Sequence, residues 1–292
     1  MDINFELYKI FYHAAKSQSF SRAAAELFIS QSAVSQAIKN LETKLGGALF
    51  FRKNQRLKLT PEGELLLLHI EQAYHLMKTA ERKLEDIHNL DAGEIRIGAS
   101  DTVCKYFLLP YLKDFHNQFP QIQIRLLNRT SEQLVATLKN GLIDFAIVTL
   151  PQTEPGLEVL SFKKVTDIFV ASEKYSNLKK IKLSWLDFSR YPVLMLEKTS
   201  ATRCNLEAFL RQKGIIIQPE IELESVDLLV DFARCGFGIA HVLKESAVDC
   251  IEKGQLFEIV TQETLPDREL GLVCYPKLPP SGTAQKLIER LV

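Results

Sequence analysis

The pattern of hydrophobic and polar residues divides the chain into three parts. Through residue 60, apolar residues recur at helical spacing in short segments, which predicts three helices followed by a hairpin. Further on they recur alternately every four and every three residues, which is typical of one long helix. After residue 93, short apolar runs alternate with helical patterns, and this alternation predicts a parallel α/β sheet. The expected domains are 1–60, 61–90 and 91–292.

Residues 20–63 predict two short helices, a tight turn between them and a basic hairpin, which is the layout of a winged helix-turn-helix. Ser21 is expected to cap the first helix, because its hydroxyl can accept a hydrogen bond from an N–H group of the first turn. Phe28 and Ile29 lie in the turn, where we expect them to be core residues.

The second short helix has one apolar face and one polar face. Ser30 or Ser32 is expected to cap it. Its apolar stripe consists of Val34, Ile38, Leu41 and Leu45. Short polar side chains and one lysine on the opposite face suit a major groove, and the hairpin cations suit phosphates. The predicted DNA contacts are Ser21, Gln31, Ser32, Ser35, Gln36, Lys39, Arg52, Lys53 and Arg56.

The spacing of these residues resembles the N-terminal signature of the LysR-type transcriptional regulators. Ser32 departs from it, since many members carry proline there, but serine should still open a helix. The matching residues are Ala23, Ala24, Leu27, Ser30, Gln31, Ala33, Ser35, Ile38, Leu41, Glu42, Leu45, Gly46, Leu49, Phe50, Arg52, Leu59, Thr60 and Gly63.

The resemblance implies a regulator that binds double-stranded DNA and a small-molecule effector. It also implies a homodimer paired through the linker helix, commonly assembled into a homotetramer, and an effector domain like a two-lobed periplasmic solute-binding protein. The expected fold is therefore α/β overall, with an N-terminal all-α winged helix-turn-helix, a long linker helix and a two-lobed α/β periplasmic-binding-protein-like effector domain.

The long helix carries an unbroken heptad stripe. A strict 3.5-residue repeat favours pairing with a second copy, whereas the alternative is a helix that packs on its own domain. The stripe residues are Leu66, Ile70, Ala73, Met77, Ala80, Leu84 and Ile87.

The α/β part predicts two lobes joined by two crossing strands. Residues 93–163 with 268–292 are expected to form the first lobe, and residues 164–267 the second. A hinge is expected at Asp91, Ala92 and Gly93.

Polar residues follow the predicted strands at the places where open α/β sheets bind ligands. Helix N-termini present free N–H groups there, and neighbouring hydroxyls could hold a carboxylate, although serine and threonine are also ordinary helix caps. The predicted effector-binding residues are Ser100, Asp101, Thr102, Thr130, Ser131, Thr149, Thr199, Ser200, Thr202, Val226, Gly238 and His241.

Charged and titratable side chains refine this expectation. Arg129 and Arg203 are either charge partners for an acid or surface residues. His241 fits a satisfied core histidine better than a pH-sensing or ligand-binding residue. We expect an organic acid or another small metabolite as effector, with no cofactor and no metal.

Charge and composition agree with a nucleic-acid module attached to another domain. The whole chain balances 36 Lys and Arg against 36 Asp and Glu, but residues 1–60 hold nine cations and four anions, a net of +5. A mixed segment from Met1 to Tyr12 predicts no secretory signal, and no apolar stretch suits a membrane span. The expected location is the cytoplasm, which suits reduced thiols.

The sequence leaves three alternatives to an effector-controlled regulator. An enzyme is disfavoured because no GxSxG, P-loop, HExxH or paired-cysteine motif is present. A redox-sensing regulator would use Cys204 or Cys235, whereas a free cysteine is more often a small buried hydrophobe. A plain solute-binding protein is opposed by the basic first domain.

Overall fold

The computed structural model describes residues 3–51, 57–88, 93–152 and 154–292. The chain forms two compact units, Met1–Arg82 and Lys83–Val292. The expected hinge residues Asp91 and Ala92 lie outside the described residues.

The first unit has the predicted helix-turn-helix with a hairpin. The two hairpin strands pair antiparallel, with Phe50 opposite Leu59. Its elements are α1 (Phe5–Ser17), α2 (Phe20–Leu27), α3 (Gln31–Leu45), β1 (Phe50–Phe51), β2 (Lys58–Leu59) and α4 (Pro61–His88).

Ser19, and not Ser21, caps α2. The helix begins at Phe20, and the Ser19 hydroxyl accepts from the Arg22 N–H at 3.3 Å. Ser21 therefore lies inside the first turn, exposed to solvent. The cap of α3 is Ser30, one of the two predicted candidates, whose hydroxyl accepts from the Ala33 N–H at 3.1 Å.

The core of the first unit joins the helices to the wing. Val34, Ile38 and Leu41 are buried as predicted, whereas Leu45 is 39% exposed at the end of the stripe. Glu42 is buried on the same helix, and its carboxylate accepts from the Leu49 N–H at 2.9 Å. This bond ties the start of the hairpin to α3.

The turn between α2 and α3 differs from the expectation. Phe28 is 96% exposed and Ile29 is 39% exposed, so neither is a core residue of this unit. Phe28 is the C-cap of α2 and has a left-handed backbone, with φ +54°.

The long helix α4 leaves much of its apolar surface uncovered. Leu66 packs against the core of the first unit. Met77 and Leu84 are exposed, as are Leu65 and Leu68. The side chain of Ile87 lies outside the described residues. Among the helices that the structure describes, none has the length and apolarity that crossing a membrane requires.

The second unit alternates strands and helices. The helical segments that follow the first strand of this unit include one π-helical turn, Cys104–Leu108. The elements are β3 (Gly93–Ala99), α5 (Asp101–Val103), α6 (Leu109–Gln118), β4 (Ile122–Leu127), α7 (Ser131–Lys139), β5 (Phe145–Thr149), β6 (Glu158–Val165), β7 (Asp167–Ala171), β8 (Val193–Leu196), α8 (Ala201–Arg211), β9 (Ile221–Leu223), α9 (Val226–Arg234), β10 (Ile239–Leu243), α10 (Lys244–Glu252), β11 (Phe257–Ile259), β12 (Arg268–Cys274) and α11 (Gly282–Leu291).

These strands form two five-stranded sheets, one in each lobe, as the fold prediction required. The first has the order β4-β3-β5-β12-β6 and the second β11-β7-β10-β8-β9. β3 runs parallel to β4 and β5, as predicted, whereas β12 runs antiparallel to β5 and β6. The chain crosses between the lobes after Val165 and returns before Arg268. The short edge strand β11 was not predicted, because three residues give no readable alternation.

The core of the second lobe encloses His241. This residue is 1% exposed, its ring centroid lies 4.8 Å from that of Phe169, and neither ring nitrogen has a hydrogen-bond partner among the described residues. His241 is therefore a core histidine, as expected, but not the satisfied one that the sequence analysis predicted. Burial lowers the pKa of His241 from 6.5 to about 4; the charge of Asp167 opposes this shift, while those of Arg268 and Arg203 add to it. The imidazole is therefore neutral in the folded protein at pH 7.

This burial predicts acid sensitivity. Between pH 6.5 and about 4 the unfolded chain binds a proton at His241 that the folded chain does not. The free energy of unfolding therefore falls with pH over that window, by up to about 1.4 kcal/mol per pH unit. Urea unfolding followed by the fluorescence of Trp185 should show a shallower pH dependence for His241→Leu. The exposed His116→Leu is the control; equal slopes in all three proteins would contradict the prediction.

Candidate functional site

A cleft of about 390 Å³ opens between the two lobes. It lies at the carboxyl ends of β3, β5 and β8, where the chain leaves each sheet for a helix or loop. Its floor is apolar, formed by residues such as Ile147, Val165, Leu243 and Leu270. A floor of this kind with polar walls suits a small organic molecule.

Three helical segments begin at the cleft wall. Ser100 caps α5, its hydroxyl accepting from the Val103 N–H at 3.3 Å. Thr130 caps α7 in a reciprocal box with Gln133. Ser200 caps α8 through the Arg203 N–H at 3.1 Å. Helix N-termini carry partial positive charge and free N–H groups, so this wall attracts an anionic group.

Most of the residues predicted from strand ends come together in this cleft. Several hydroxyls also have structural bonds: that of Ser131 accepts from the Thr149 N–H at 3.1 Å. The same residues therefore form structural hydrogen bonds and also line the cleft. Those that line the cleft are Ser100, Asp101, Thr102, Thr130, Ser131, Thr149, Thr199, Ser200 and Thr202.

Three predicted residues do not line the cleft. Val226 is 2% exposed and packs in the second lobe's core with residues such as Leu229. Gly238 precedes β10, where a Cβ atom would lie 2.3 Å from the carbonyl oxygen of Pro192. His241 lies within β10 in the aromatic core. Each of the three therefore has a packing role that the sequence pattern does not separate from a strand-end role.

Arg268 is a cleft residue that the sequence prediction missed, as are Glu197 and Glu224. Arg268 is 7% exposed and forms a two-point ion pair with Asp167, with Nε–Oδ2 2.5 Å and Nη2–Oδ1 2.7 Å. Its guanidinium also donates to the hydroxyls of Thr149 at 3.3 Å and Thr202 at 3.1 Å. The arginine and Thr149 belong to the first lobe, and the other two partners to the second. One side chain thus bonds both lobes at the cleft.

The strand-end rule could not find Arg268, because this residue begins its strand. β12 runs antiparallel to β5 with Leu270 opposite Thr149, so its first residues reach the sheet edge where β5 ends. The sequence did offer one signal for Arg268: it is a cation next to the predicted crossing between the lobes.

Arg129 and Arg203, the arginines that the sequence analysis proposed as charge partners, differ from each other in the structure. Arg129 is exposed and lines the cleft mouth. Arg203 has only 2% of its side chain exposed, and its Nε lies 2.6 Å from a Glu207 carboxylate oxygen. Its Nη1 also donates to the Leu196 carbonyl at 3.3 Å. Arg203 is therefore committed to packing within the second lobe.

Two carboxylates also line the cleft. Glu197 and Glu224 both line it and are exposed. They directly follow β8 and β9, whose last residues Leu196 and Leu223 are paired in parallel. Across the ranges that the structure describes, no lysine or arginine forms an ion pair with either carboxylate. The cleft therefore offers an anion-attracting part and a cation-attracting part.

A second polar tie joins the lobes through the π-helical turn. The Tyr106 hydroxyl donates to one carboxylate oxygen of Asp227, and Lys105 Nζ lies 2.8 Å from the other. Burial, together with the bond to Asp227, raises the pKa of Tyr106 to about 12. Burial opposes ionisation of Asp227, but its bonds from Lys105 and Tyr106 outweigh this and lower its pKa. The contact holds α9 against the first lobe.

The cysteines are free thiols in the structure. Cys204 and Cys235 are exposed. Burial raises the pKa of the Cys104 and Cys274 thiols to about 11, which disfavours the reactive thiolate form. Within the described residues there is no cluster of three His, Cys, Asp or Glu side chains suited to a metal ion.

The first unit presents the predicted reading face of α3 to solvent. Its members are spaced so that they share one side of the helix, opposite the buried stripe. The predicted hairpin contacts Arg52, Lys53 and Arg56 lie outside the described residues. The exposed members are Gln31, Ser32, Ser35, Gln36 and Lys39.

Proteins described as probable transcriptional regulators match most of this chain. A probable RuBisCO transcriptional regulator of Cyanidium caldarium is 31% identical over 250 residues, covering 83% of this chain and 78% of the relative. One of Emiliania huxleyi is 29% identical over 277 residues, covering 92% and 88%.

Solved structures share the fold. CbnR, a LysR family transcriptional regulator, superposes with a TM-score of 0.69 at 17% identity, covering 99% of this chain and 98% of CbnR. A full-length OxyR variant from Pseudomonas aeruginosa has a TM-score of 0.70 at 18% identity, covering 100% and 95%.

Two family models cover the two units. The model described as bacterial regulatory helix-turn-helix protein, lysR family, matches residues 5–64. The LysR substrate binding domain matches residues 88–292. The chain therefore belongs to the LysR family of transcription regulators, with an N-terminal helix-turn-helix domain and a two-lobed effector-binding domain.

Proposed function

We propose that α3 of this regulator reads DNA through its exposed polar face. Ser32, Ser35, Gln36 and Lys39 would enter the major groove, and the hairpin cations would contact phosphates. The observation that carries this proposal is the continuous exposure of these side chains on one side of a helix whose other side is buried. The regulator would act in the cytoplasm, where DNA is accessible, and would catalyse no reaction.

Self-association would double the reading surface. The exposed Leu65, Leu68, Met77 and Leu84 of α4 support pairing of two chains through this helix, since isolated apolar side chains gain stability when a partner covers them. Two α3 helices on one dimer, or four on a tetramer, would then bind half-sites at a fixed spacing.

A small effector would bind in the cleft and change its opening. Its influence on DNA binding is limited to the difference between its affinities for the two arrangements of the lobes. The helix N-termini of α5, α7 and α8 support an effector with a carboxylate. Glu197 and Glu224, which form no ion pair with a described lysine or arginine, support a positively charged nitrogen on the same molecule, so we propose an amino-carboxylate as the effector class.

The reading face yields a matched pair of variants. Lys39→Ala should weaken binding to the protein's own promoter by about 1–3 kcal/mol, because a cation leaves the interface. Lys44→Ala removes a cation from the same helix on the side away from the predicted face, and should bind as the unmodified chain does. Titrations by fluorescence anisotropy at several salt concentrations measure both. Equal affinities for the two variants would contradict the assignment.

The effector class is testable by thermal shift on the full-length chain. Each proteinogenic L-amino acid is compared with the carboxylic acid that lacks its amino group. One amino acid should raise the melting temperature while its deaminated counterpart does not, because only the amino acid carries the charged nitrogen that Glu197 and Glu224 would hold, and a ligand that binds the folded state stabilises it.

Glu197→Gln or Glu224→Gln should reduce that shift, whereas Glu258→Gln, on the edge strand β11, should preserve it. A carboxylic acid that stabilises all four proteins equally would leave the cleft as the site but exclude the proposed cationic group.

A further inference from the structure

Phe28 occupies an unusual position at the end of α2. Its backbone N–H bonds to the Ala25 carbonyl at 3.3 Å and closes the helix in a left-handed conformation. Its side chain is 96% exposed, the largest exposed fraction of any large hydrophobic residue in the described part of the chain.

Two unfavourable features coincide in this residue. A left-handed backbone favours glycine or asparagine, and a bulky side chain there is uncommon. Gln18 and Phe28 are the non-glycine residues with positive φ in the described chain. Gln18 is polar, so its exposure costs nothing, whereas exposed phenylalanine forgoes the free energy of burial. Nothing in the described part of the first unit compensates for both costs at Phe28, which points to a partner outside it.

The position of Phe28 relative to α3 identifies that partner as DNA. Three peptide units separate Phe28 from Gln31, so their Cα atoms lie at most about 11 Å apart. Ser30 lies between them, bonded to Ser32 at 2.9 Å across the first turn of α3. This end of α3 is the one that enters the groove in a helix-turn-helix. Thymine methyl groups and deoxyribose carbons form the apolar surface of DNA at that edge.

Charge argues against a second copy of this domain as the partner. Residues 1–60 carry nine Lys and Arg against four Asp and Glu, so two such domains repel each other at close range and each is attracted to phosphates. The exposed apolar residues that suit self-association lie on α4.

We propose that Phe28 is a DNA-contacting residue that packs on the apolar edge of the groove beside the first turn of α3. The inference rests on the proposed reading role of α3. It adds an apolar contact, to a thymine methyl group or to deoxyribose, next to a polar reading face.

Opposite effects on stability and on affinity distinguish this role from a structural one. Phe28→Gly relieves the left-handed strain, so its melting temperature should stay equal or rise by a few degrees, while promoter affinity should fall about tenfold. The salt dependence should be unchanged, because no cation is lost. Phe28→Tyr should retain affinity. The matched control Gln18→Gly relieves the same strain and should bind DNA normally.

Each outcome bears on a separate claim. Replacing each promoter thymine in turn by deoxyuridine removes one methyl group. If a replacement lowers the affinity of the unmodified chain but not that of Phe28→Gly, the contact is to that methyl group. If no replacement has this effect, the contact is to deoxyribose. Normal affinity of Phe28→Gly overturns the inference, as does a loss that follows a change in oligomeric state by sedimentation. Normal affinity of Lys39→Ala would instead overturn the reading role of α3.

Discussion

The buried ion pair between Arg268 and Asp167 is the contact on which the geometry of the effector domain depends. A charge removed from water is costly unless another charge and further hydrogen bonds satisfy it, and loss of one partner typically costs about 3–5 kcal/mol. Here the guanidinium is satisfied by Asp167 and by hydroxyls of Thr149 and Thr202. Because these partners come from both lobes, this one side chain holds the lobes together at the cleft.

Effector binding therefore acts on a structure with two polar ties. Arg268 bonds the lobes at the cleft, and the Tyr106–Asp227 contact joins them through α9. A ligand that contacts Thr149 or Thr202 approaches the arginine's own partners. Competition for these hydroxyls gives the cleft a direct means of favouring one lobe arrangement over another.

Much of the fold could be predicted from sequence, because the parallel β3, β4 and β5 and the heptad of α4 have distinct periods. Strand-end hydroxyls such as Thr130 and Thr202 were found by the same logic. Arg268 was missed because its strand is antiparallel, and the direction of a strand is not written in its hydrophobic pattern. Val226 and Gly238 satisfy the same pattern as cleft residues but serve packing. In the helix-turn-helix, Phe28 was assigned to the core because hydrophobicity alone does not reveal a left-handed backbone.

The position of β12 between β5 and β6 has a consequence for synthesis on the ribosome. The second lobe is continuous from β7 to β11, so its sheet can close as soon as those strands emerge. The sheet of the first lobe lacks its fourth strand until nearly the whole chain has left the exit tunnel. During that interval β5 and β6 expose unpaired edges, which chaperones bind and which aggregate in their absence. A message truncated before the last strand would thus yield one finished lobe and one incomplete one.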